Sequence, residues 1–249
     1  MTSDVVDLHA FYASGLGQMA RRVLRRRVRQ MWPNLRGETV LGLGYATPLL
    51  GQFRDEAARV IAFMPASQGV MHWPREGANA VALSDDTDLP LPDESVDRVL
   101  LVHALEHSEH LRPMLREIWR VLAGGGRLLV VVPNRRGIWA RFDRTPFGHG
   151  HPYSAGQLSR LLKDNLFVPL QTSGALFAPP IRSRMLWSSA QAAENLGARW
   201  FPTFAGAVLI EAGKQIYAAS VERPARRRIL VPLPQPAARG AARTFKERE

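Results

Sequence analysis

Short apolar runs alternate with helix-sized intervals through the first half of the chain, and this alternation constrains the fold more than any other feature. A run that is apolar at nearly every position is typical of a strand buried on both faces of a parallel sheet. Helix-sized connections between such strands favour right-handed crossovers. The sequence therefore predicts an α/β fold with a parallel, doubly wound sheet. The predicted strands cover residues 39–44, 60–64, 80–83, 96–102 and 127–132.

Apolar residues at a spacing of three or four predict the helices. They cover residues 16–32, about 49–58, a segment from 111 that Gly124–Gly126 stops, and 155–164. Residues 170–177 are predicted to be extended, and 204–217 to form one or two final strands. The insertion at residues 179–202 carries Met185, Leu186, Trp187 and Trp200. This apolar content predicts a helix that covers the sheet or a pocket.

The net charge of +11 is concentrated at the two ends of the chain. The first 36 residues hold seven Arg and two Asp, and residues 222–249 hold eight Lys or Arg and three Glu. The residues between them carry 18 basic and 17 acidic side chains, so the centre of the chain is electrically ordinary. We therefore expect one folded domain over residues 1–221, followed by a basic tail rich in Pro, Ala and Arg over residues 222–249.

The helix predicted at residues 16–32 carries six arginines outside its apolar stripe. The ordinary interpretation is that the stripe packs on the domain while the arginines face solvent. Peripheral contact with a membrane surface, or contact with nucleic acid, is the alternative. The arginines alone do not separate these interpretations.

The chain has no cysteine, which excludes a disulfide framework, thiolate chemistry and zinc held by cysteine. Residues 1–14 lack the basic and then apolar pattern of an export signal. No run approaches the about 20 apolar residues that a spanning helix needs. We therefore expect a cytoplasmic protein without a transmembrane segment.

The loop after the first strand, residues 42–48, is the most promising place for a ligand. In a doubly wound sheet, ligands bind beyond the carboxyl ends of the strands, where the strand order reverses. Gly42 and Gly44 let the backbone turn sharply and come close to a ligand. No Gly-Lys-Ser or Gly-Lys-Thr follows the strand, which argues against phosphate-loop chemistry.

Three segments follow one another along the chain: VLGLGYATP, SDDTDLPLPDESVDRVLLVHALEH and REIWRVLAGGGRLLVVVPN. They resemble the ordered motifs of class I S-adenosylmethionine-dependent methyltransferases, in particular the methyltransferase type 11-like group. The family patterns are V-L-D-x-G-C-G-T-G, D-x-x-x-LPF-x-D-x-S-F-D with LEH, and a helix that ends in PGG. The similarity covers residues 40–134 and weakens through residue 217. It implies a Rossmann-like, doubly wound, mostly parallel seven-stranded sheet with helices on both faces, and S-adenosylmethionine as the cofactor.

The resemblance also implies a cofactor site made from several strand ends. A carboxylate beside the adenine can accept a hydrogen bond from the adenine amino group, and Asp85 matches that position. The alternative is that Asp85 and its acidic neighbours only solvate a turn. The candidate cofactor-binding residues are Gly42, Gly44, Tyr45, Ala46, Met64, Asp85, Asp86 and His103.

Departures from the family pattern affect the expected affinity for the cofactor. Gly42 replaces the usual acidic residue, while Ala46 and Pro48 replace the later glycines. Met64 stands where the family has Asp or Glu for the ribose hydroxyls. The missing carboxylate is expected to weaken cofactor binding by on the order of a few kcal/mol. The same loss argues against a nicotinamide-dependent dehydrogenase. We expect polar contacts from the turn that holds Ser67 and Gln68 instead.

Five side chains near the predicted strand ends are candidate catalytic residues. Methyl transfer needs an aligned nucleophile, a dry pocket and at most one base. The alternative for the histidines among them is a structural role at strand and helix ends. The candidates are His103, His107, His149, His151 and Tyr153.

The segment at residues 147–154 also has a structural interpretation. Ser154 and Gln157 are spaced as a capping box for the helix that follows. His149 and His151 have a spacing found in metal sites, but no third ligand with matching spacing is evident, so no metal is predicted.

Three functions are consistent with these features. The first is a methyltransferase for a small-molecule acceptor, with the insertion and the N-terminal helix covering the acceptor pocket. The second is a catalytically inactive, methyltransferase-like binding or scaffold protein, which the departures at Gly42, Pro48 and Met64 favour. The third is an RNA or protein methyltransferase that uses its basic ends as an electrostatic grip.

Overall fold

Seven strands form one sheet in the part of the chain that the computed structural model describes, residues 4–181 and 190–216. The strands are β1 (Thr39–Gly44), β2 (Arg59–Met64), β3 (Val81–Leu83), β4 (Val96–Val102), β5 (Leu122–Pro133), β6 (Phe167–Ala175) and β7 (Ala207–Lys214). The strands from β1 to β5 pair in parallel, and β7 is antiparallel to β5 and β6. The predicted doubly wound, mostly parallel seven-stranded sheet is confirmed.

The strand order is β3-β2-β1-β4-β5-β7-β6, so the order reverses between β1 and β4. Helices cover both faces of the sheet. They are α1 (Val5–Ala13), α2 (Gly15–Met31), α3 (Thr47–Leu50), α4 (Leu111–Val121), α5 (Ala155–Asp164) and α6 (Ala190–Trp200). Short 3-10 turns cover Trp139–Arg141, Pro146–Gly148 and Pro202–Phe204.

Two hydrophobic layers hold the helices on the sheet. In β5, Leu129 and Val131 face a layer that includes α1, α2 and α3. Their neighbours Leu128, Val130 and Val132 face the other layer, which includes α4 and α5. Alternate side chains of a strand point to opposite faces, which explains why this strand is apolar at every one of these positions.

The helix α2 is attached firmly to the domain. Its predicted stripe is buried at Leu16, Ala20, Leu24, Val28 and Met31. Arg29 pairs with Glu56 at 2.6 Å, and Trp32 just beyond the helix donates to Glu211 of β7 at 3.0 Å. The prediction of a packed helix at residues 16–32 agrees with this placement.

Two predictions about the elements were wrong, and one helix was missed. The helix expected at 49–58 is the single turn α3, because turns begin at Gly51. Gly124–Gly126 do not form the stop of α4, which ends at Val121; these glycines lie inside the long strand β5. Residues 5–13 form α1, which the sequence analysis did not predict.

The insertion contains α6, as predicted, although Met185, Leu186 and Trp187 lie outside the described residues. Trp200 is 64% exposed and therefore does not cover the sheet, contrary to expectation. Glu194 instead anchors α6, because its buried carboxylate accepts from the backbone of Leu176 and Phe177. The predicted boundary at residue 221 and the tail 222–249 also lie outside the described residues.

Candidate functional site

The glycine loop at the reversal of strand order connects β1 to α3. Gly44 has φ +71°, and a Cβ there would run into the carbonyl oxygen of Val102, so the position requires glycine. A side chain on Gly42 would collide with Leu50 of α3. An acidic residue at position 42 would therefore require Leu50 and Ala46 to shift.

Tyr45 connects this loop to two neighbouring elements. Its backbone N–H donates to the carbonyl of Val102 at 2.9 Å, which fastens the loop to the end of β4. Its ring stacks on Tyr12 of α1, with centroids 5.8 Å apart and an interplanar angle of 24°. Burial raises the pKa of the Tyr45 phenol to about 12. An aromatic pair thus lies over the loop where the family pattern has a small residue.

Pro48 lies in the first turn of α3, where its missing N–H costs no helical hydrogen bond. Its carbonyl accepts from Nε of Arg21 at 3.1 Å. Ala46 is fully buried beneath Gly42. These two departures from the family pattern therefore belong to the packing of α2 and α3 around the loop.

The helix α1 crosses the carboxyl ends of β2, β1 and β4. At its start, the backbone N–H of Val5 donates to the carbonyl of Gln68, beyond β2, at 2.8 Å. At its end, Tyr12 contacts Tyr45 after β1 and His103 after β4. Leu8 between them is fully buried. Because doubly wound proteins bind ligands in the crevice outside these strand ends, α1 occupies the position expected for a ligand.

A buried hydrogen-bonded chain joins Tyr12, His103 and Glu106. The Tyr12 hydroxyl lies 2.9 Å from Nε2 of His103, and Nδ1 of His103 lies 3.2 Å from Oε1 of Glu106. His103 has φ +50°, an uncommon conformation for a residue other than glycine. Backbone strain of this kind is found disproportionately at functional sites. The chain has the order of a hydroxyl, a base and a group that orients the base.

Burial raises the pKa of the Tyr12 phenol above its ordinary value, and the nearby charge of Glu106 raises it further. Oε2 of Glu106 is buried without a hydrogen-bond partner among the described residues. Such an atom has free capacity to accept a hydrogen bond. The sequence analysis missed both Tyr12 and Glu106. The three-residue spacing from His103 to Glu106, and the apolar spacing of Val5, Leu8 and Tyr12, were the available signals.

Gln68 lies where the sequence predicts a substitute for the missing ribose carboxylate. Its Nε2 donates to the carbonyl of His103 at 2.8 Å, whereas its Oε1 is buried and has no partner in the described part of the chain. Ser67 is exposed. Met64 is buried in the core beneath α1. Gln68 is therefore the residue of this turn with an acceptor atom facing inward.

Asp85 and Asp86 follow β3 and differ in their surroundings. Asp85 is exposed, and its carboxylate accepts from the backbone and the hydroxyl of Thr87, which lowers its pKa. Asp86 is half-buried, and its burial raises its pKa despite a hydrogen bond from Ser108 at 3.3 Å. Both carboxyl groups line a space of about 10 Å³ beside Gly44, enough for about one water molecule.

The remaining candidate residues surround Glu106 from the other side. His107 is half-buried, its Nε2 has no partner among the described atoms, and burial lowers its pKa. The backbone N–H of His151 donates to the carbonyl of Glu106 at 2.8 Å, while its side chain is exposed. Burial raises the pKa of Tyr153. Ser154 and Gln157 form the predicted capping box of α5.

Two open cavities flank α1. One of about 670 Å³ lies between α1 and residues 142–146 and includes Phe11, Phe142 and His149 in its wall. The other, of about 600 Å³, lies beside the glycine loop and includes Tyr45, Arg21 and Trp73. Both volumes are in the range of small-molecule sites. The structure thus brings Gly44, Tyr45 and His103 together beneath α1, while His149 lies beside the first cavity.

Among the described residues, no group of three or more His, Asp or Glu side chains is arranged to hold a metal ion. In the same part of the chain, no helix is both long and apolar enough to cross a membrane. Arg22 and Arg26 of α2 are exposed. The role of this basic face in binding a membrane or nucleic acid stays a prediction.

The chain is similar to known methyltransferases in sequence. Residues 39–130 match the family model described as a methyltransferase domain. A probable S-adenosylmethionine-dependent methyltransferase of Mycobacterium tuberculosis is 34% identical over 151 residues, which are 58% of this chain and 53% of the relative. A demethylmenaquinone methyltransferase of Corynebacterium efficiens is 30% identical over 130 residues, or 52% of this chain and 56% of the relative. The chain spans about half the length of these curated relatives.

Solved structures extend this similarity to the whole sheet. An S-adenosylmethionine-dependent methyltransferase from Thermotoga maritima superposes with a TM-score of 0.60 at 17% identity, covering 85% of this chain and 96% of its own. This is a class I methyltransferase fold. The 1,6-didemethyltoxoflavin-N1-methyltransferase of Burkholderia thailandensis has the same fold, with a TM-score of 0.54 at 16% identity and 85% of each chain covered. The predicted resemblance to class I S-adenosylmethionine-dependent methyltransferases is confirmed, in sequence over residues 39–130 and in the fold of the sheet.

Proposed function

We propose that the chain is an S-adenosylmethionine-dependent methyltransferase that acts on a small molecule. The observation that carries the proposal is a class I sheet with a glycine loop and a His103–Glu106 pair at the reversal of strand order. At the same place, Gln68 has a buried acceptor with no partner among the described residues. The matched methyltransferase segment at residues 39–130 supports it. The size of the cavities beside α1 supports a small acceptor.

The polar groups at the strand ends suit S-adenosylmethionine. The loop at Gly44 lets backbone approach a ligand closely, and Oε1 of Gln68 can accept from a ribose hydroxyl. Asp86 is the more buried of the two carboxyl groups on the side proposed for the adenine. When bound, the cofactor supplies an electrophilic methyl group on a sulfonium sulfur.

The space for that cofactor is small in this conformation. The cavity between Gly44, Phe63 and Asp85 holds about 10 Å³, and Tyr12 of α1 stacks on Tyr45 in the adjoining loop. We infer that cofactor binding displaces α1 at its junction with α2, near Ser14. A protein that is mostly closed binds with an apparent Kd raised by the inverse of its open fraction.

With α1 displaced, Nε2 of His103 faces the crevice and its Nδ1 remains on Glu106. His103 can then accept a proton from an acceptor, while Glu106 holds the imidazole in place and stabilises its charged form. The hydrogen bond from Gln68 to the carbonyl of His103 positions the backbone.

The test is a calorimetric titration with S-adenosylmethionine and S-adenosylhomocysteine, followed by an acceptor screen with product mass spectrometry. Gln68→Met should weaken binding by about tenfold, because a buried acceptor is lost. Ser67→Ala is the matched control in the same turn and should leave the Kd unchanged. A folded protein that binds neither compound at millimolar concentration would overturn the proposal.

An inactive binding protein is the second candidate, and the closed crevice is the observation that favours it. It predicts that α1 stays in place under all conditions. Loosening α1 by Leu8→Ala would then produce neither cofactor binding nor methyl transfer. Methyl transfer by that variant would exclude this candidate.

A further inference from the structure

Tyr12 is a phenol held in an aromatic slot at the proposed catalytic base. Its ring stacks on Tyr45, and its hydroxyl lies 2.9 Å from Nε2 of His103. Phe147 packs edge-on against His103, with ring centroids 5.0 Å apart. A flat ring on one side and a nitrogen acceptor at the end define a site for an aromatic hydroxyl.

The Tyr12 hydroxyl has a hydrogen-bonding partner, the His103–Glu106 pair, that a buried tyrosine does not require. A backbone carbonyl or a water molecule satisfies most buried phenols. Here the hydroxyl instead contacts a histidine with a strained backbone, which in turn contacts a buried carboxyl group. Buried groups arranged as hydroxyl, base and orienting acid are typical of proton transfer. The slot therefore has chemistry that its occupant, a side chain of α1, does not need.

We propose that Tyr12 occupies the subsite of the methyl acceptor, and that the acceptor is a small phenol. The inference rests on the proposed function. When α1 leaves, the phenol stacks on Tyr45 in place of Tyr12 and places its hydroxyl on Nε2 of His103. Tyr12 is thus a built-in competitor of the acceptor.

The transfer step balances with a sulfonium methyl donor as co-reactant. The phenol oxygen forms the new bond to the methyl carbon, and the carbon–sulfur bond breaks with its electron pair going to sulfur, which leaves a neutral thioether. The phenol proton passes to Nε2 of His103, and Glu106 faces the resulting imidazolium. The product is an aryl methyl ether.

The electrostatics of the slot favour a neutral phenol over an anion. The Tyr12 hydroxyl occupies the place proposed for the phenol hydroxyl, and burial and Glu106 both raise its pKa. Prior ionisation of a phenol there is unfavourable, so the proton should leave during methyl transfer. A carboxylate would be repelled by Glu106 for the same reason.

The test uses the full chain and three probes of one shape: p-cresol, toluene and p-toluidine. Leu8→Ala loosens α1 without touching the slot, and calorimetry without cofactor should give p-cresol binding about tenfold tighter than toluene binding, the value of one good hydrogen bond. Leu8→Ala combined with His103→Ala should lose that preference. Hydrogen exchange supplies a second readout: p-cresol should accelerate exchange of the α1 amides in the wild type, which a purely structural Tyr12 would not allow.

Equal binding of p-cresol and toluene, or an α1 exchange rate unaffected by p-cresol, would overturn the inference. Tighter binding of p-toluidine would overturn the phenol in favour of an amine acceptor. The proposed function fails separately. If p-cresol binds as expected but S-adenosylmethionine does not, the phenol subsite is supported and the proposed methyl transfer is contradicted. If S-adenosylmethionine binds and p-cresol does not, only the phenol subsite is contradicted.

Discussion

The helices α4 and α1 both cover the sheet, but they are attached by different contacts. The helix α4 buries Met114, Leu115, Ile118 and Val121 on one face of the sheet. The helix α1 buries Val5, Leu8 and Tyr12 across the strand ends on the other side. One of the three buried side chains of α1 is polar at its tip, and it contacts the His103–Glu106 pair. The buried face of α4 is wholly apolar, whereas that of α1 includes a tyrosine hydroxyl that contacts the site.

The different attachments of α4 and α1 indicate which helix can detach from the domain locally. Arg120 of α4 reaches Glu117, Asp93 and the backbone of the preceding loop, so α4 is fixed by charge as well as by packing. For α1, two hydrogen bonds link its ends to the strand ends, at Gln68 and His103. Segments with few buried contacts open locally at a lower free energy than the global transition. We therefore expect α1 to open while α4 stays folded.

The largest expected difference is between two truncations of buried leucines. Leu115→Ala in α4 should lower the free energy of unfolding by about 2–5 kcal/mol, because it leaves a cavity in the core. Leu8→Ala in α1 should lower the global value by less and should mainly accelerate exchange of the α1 amides. Denaturant unfolding with hydrogen exchange measures both quantities. If both variants lowered the global free energy of unfolding equally, the proposed difference between α4 and α1 would be contradicted.

Arg120→Met should cost about 1.5–3 kcal/mol, because its hydrogen bonds to carboxylates would be lost. Exchange should increase in α4 and in the loop at residues 89–93, and not in α1. Arg22→Met, at an exposed position of α2, is the matched control and should change stability by less than about 0.5 kcal/mol. A similar effect of both variants would contradict the role given to Arg120.

Tyr12→Phe should favour the open state of α1 by about 1–3 kcal/mol, because His103 would lose its buried partner. The α1 amides should exchange about tenfold faster or more as a result. Tyr153→Phe, outside α1, should leave that exchange unchanged. If Tyr12→Phe instead slowed exchange in α1, the hydrogen bond would not hold the cover closed.

The last expected effect is confined to alkaline pH. The folded-state pKa of Tyr12 and Tyr45 lies above the ordinary value of about 10, so unfolding releases protons there and stability falls as pH rises past that value. Each tyrosine contributes up to about 1.4 kcal/mol per pH unit, and for Tyr45 the contribution ends near a pKa of about 12. Tyr12→Phe should reduce the slope of unfolding free energy against pH. An unchanged slope would show that α1 does not bury this phenol.

The sheet could be predicted from the sequence because its signals are local. Five strands and the helices α2, α4 and α5 follow from runs and spacings of apolar residues, and β4 was placed without error at residues 96–102. The extent of α3 was wrong because its apolar residues continue into turns beyond Gly51. Periodicity does not distinguish a packed turn from a helix when both bury residues at a spacing of three or four, as at Leu49, Leu50 and Phe53.

The site was predictable only in part. The glycine loop and His103 follow from the motif order, but Tyr12 meets His103 across 91 positions of sequence, and no local pattern encodes that contact. The role of Leu50 in excluding a side chain at Gly42 likewise depends on how α3 packs. The cover was missed because α1 has exposed apolar residues, such as Val6, that blur its buried stripe.

The most direct test of the account is the effect of S-adenosylhomocysteine on α1, measured by hydrogen exchange in the wild type and by calorimetry in Leu8→Ala. If α1 occupies the cofactor crevice, saturating compound should accelerate exchange at residues 5–13, and Leu8→Ala should bind it about tenfold tighter than the wild type. Binding of equal affinity by both proteins, with exchange at residues 5–13 unchanged or slower, would contradict the account.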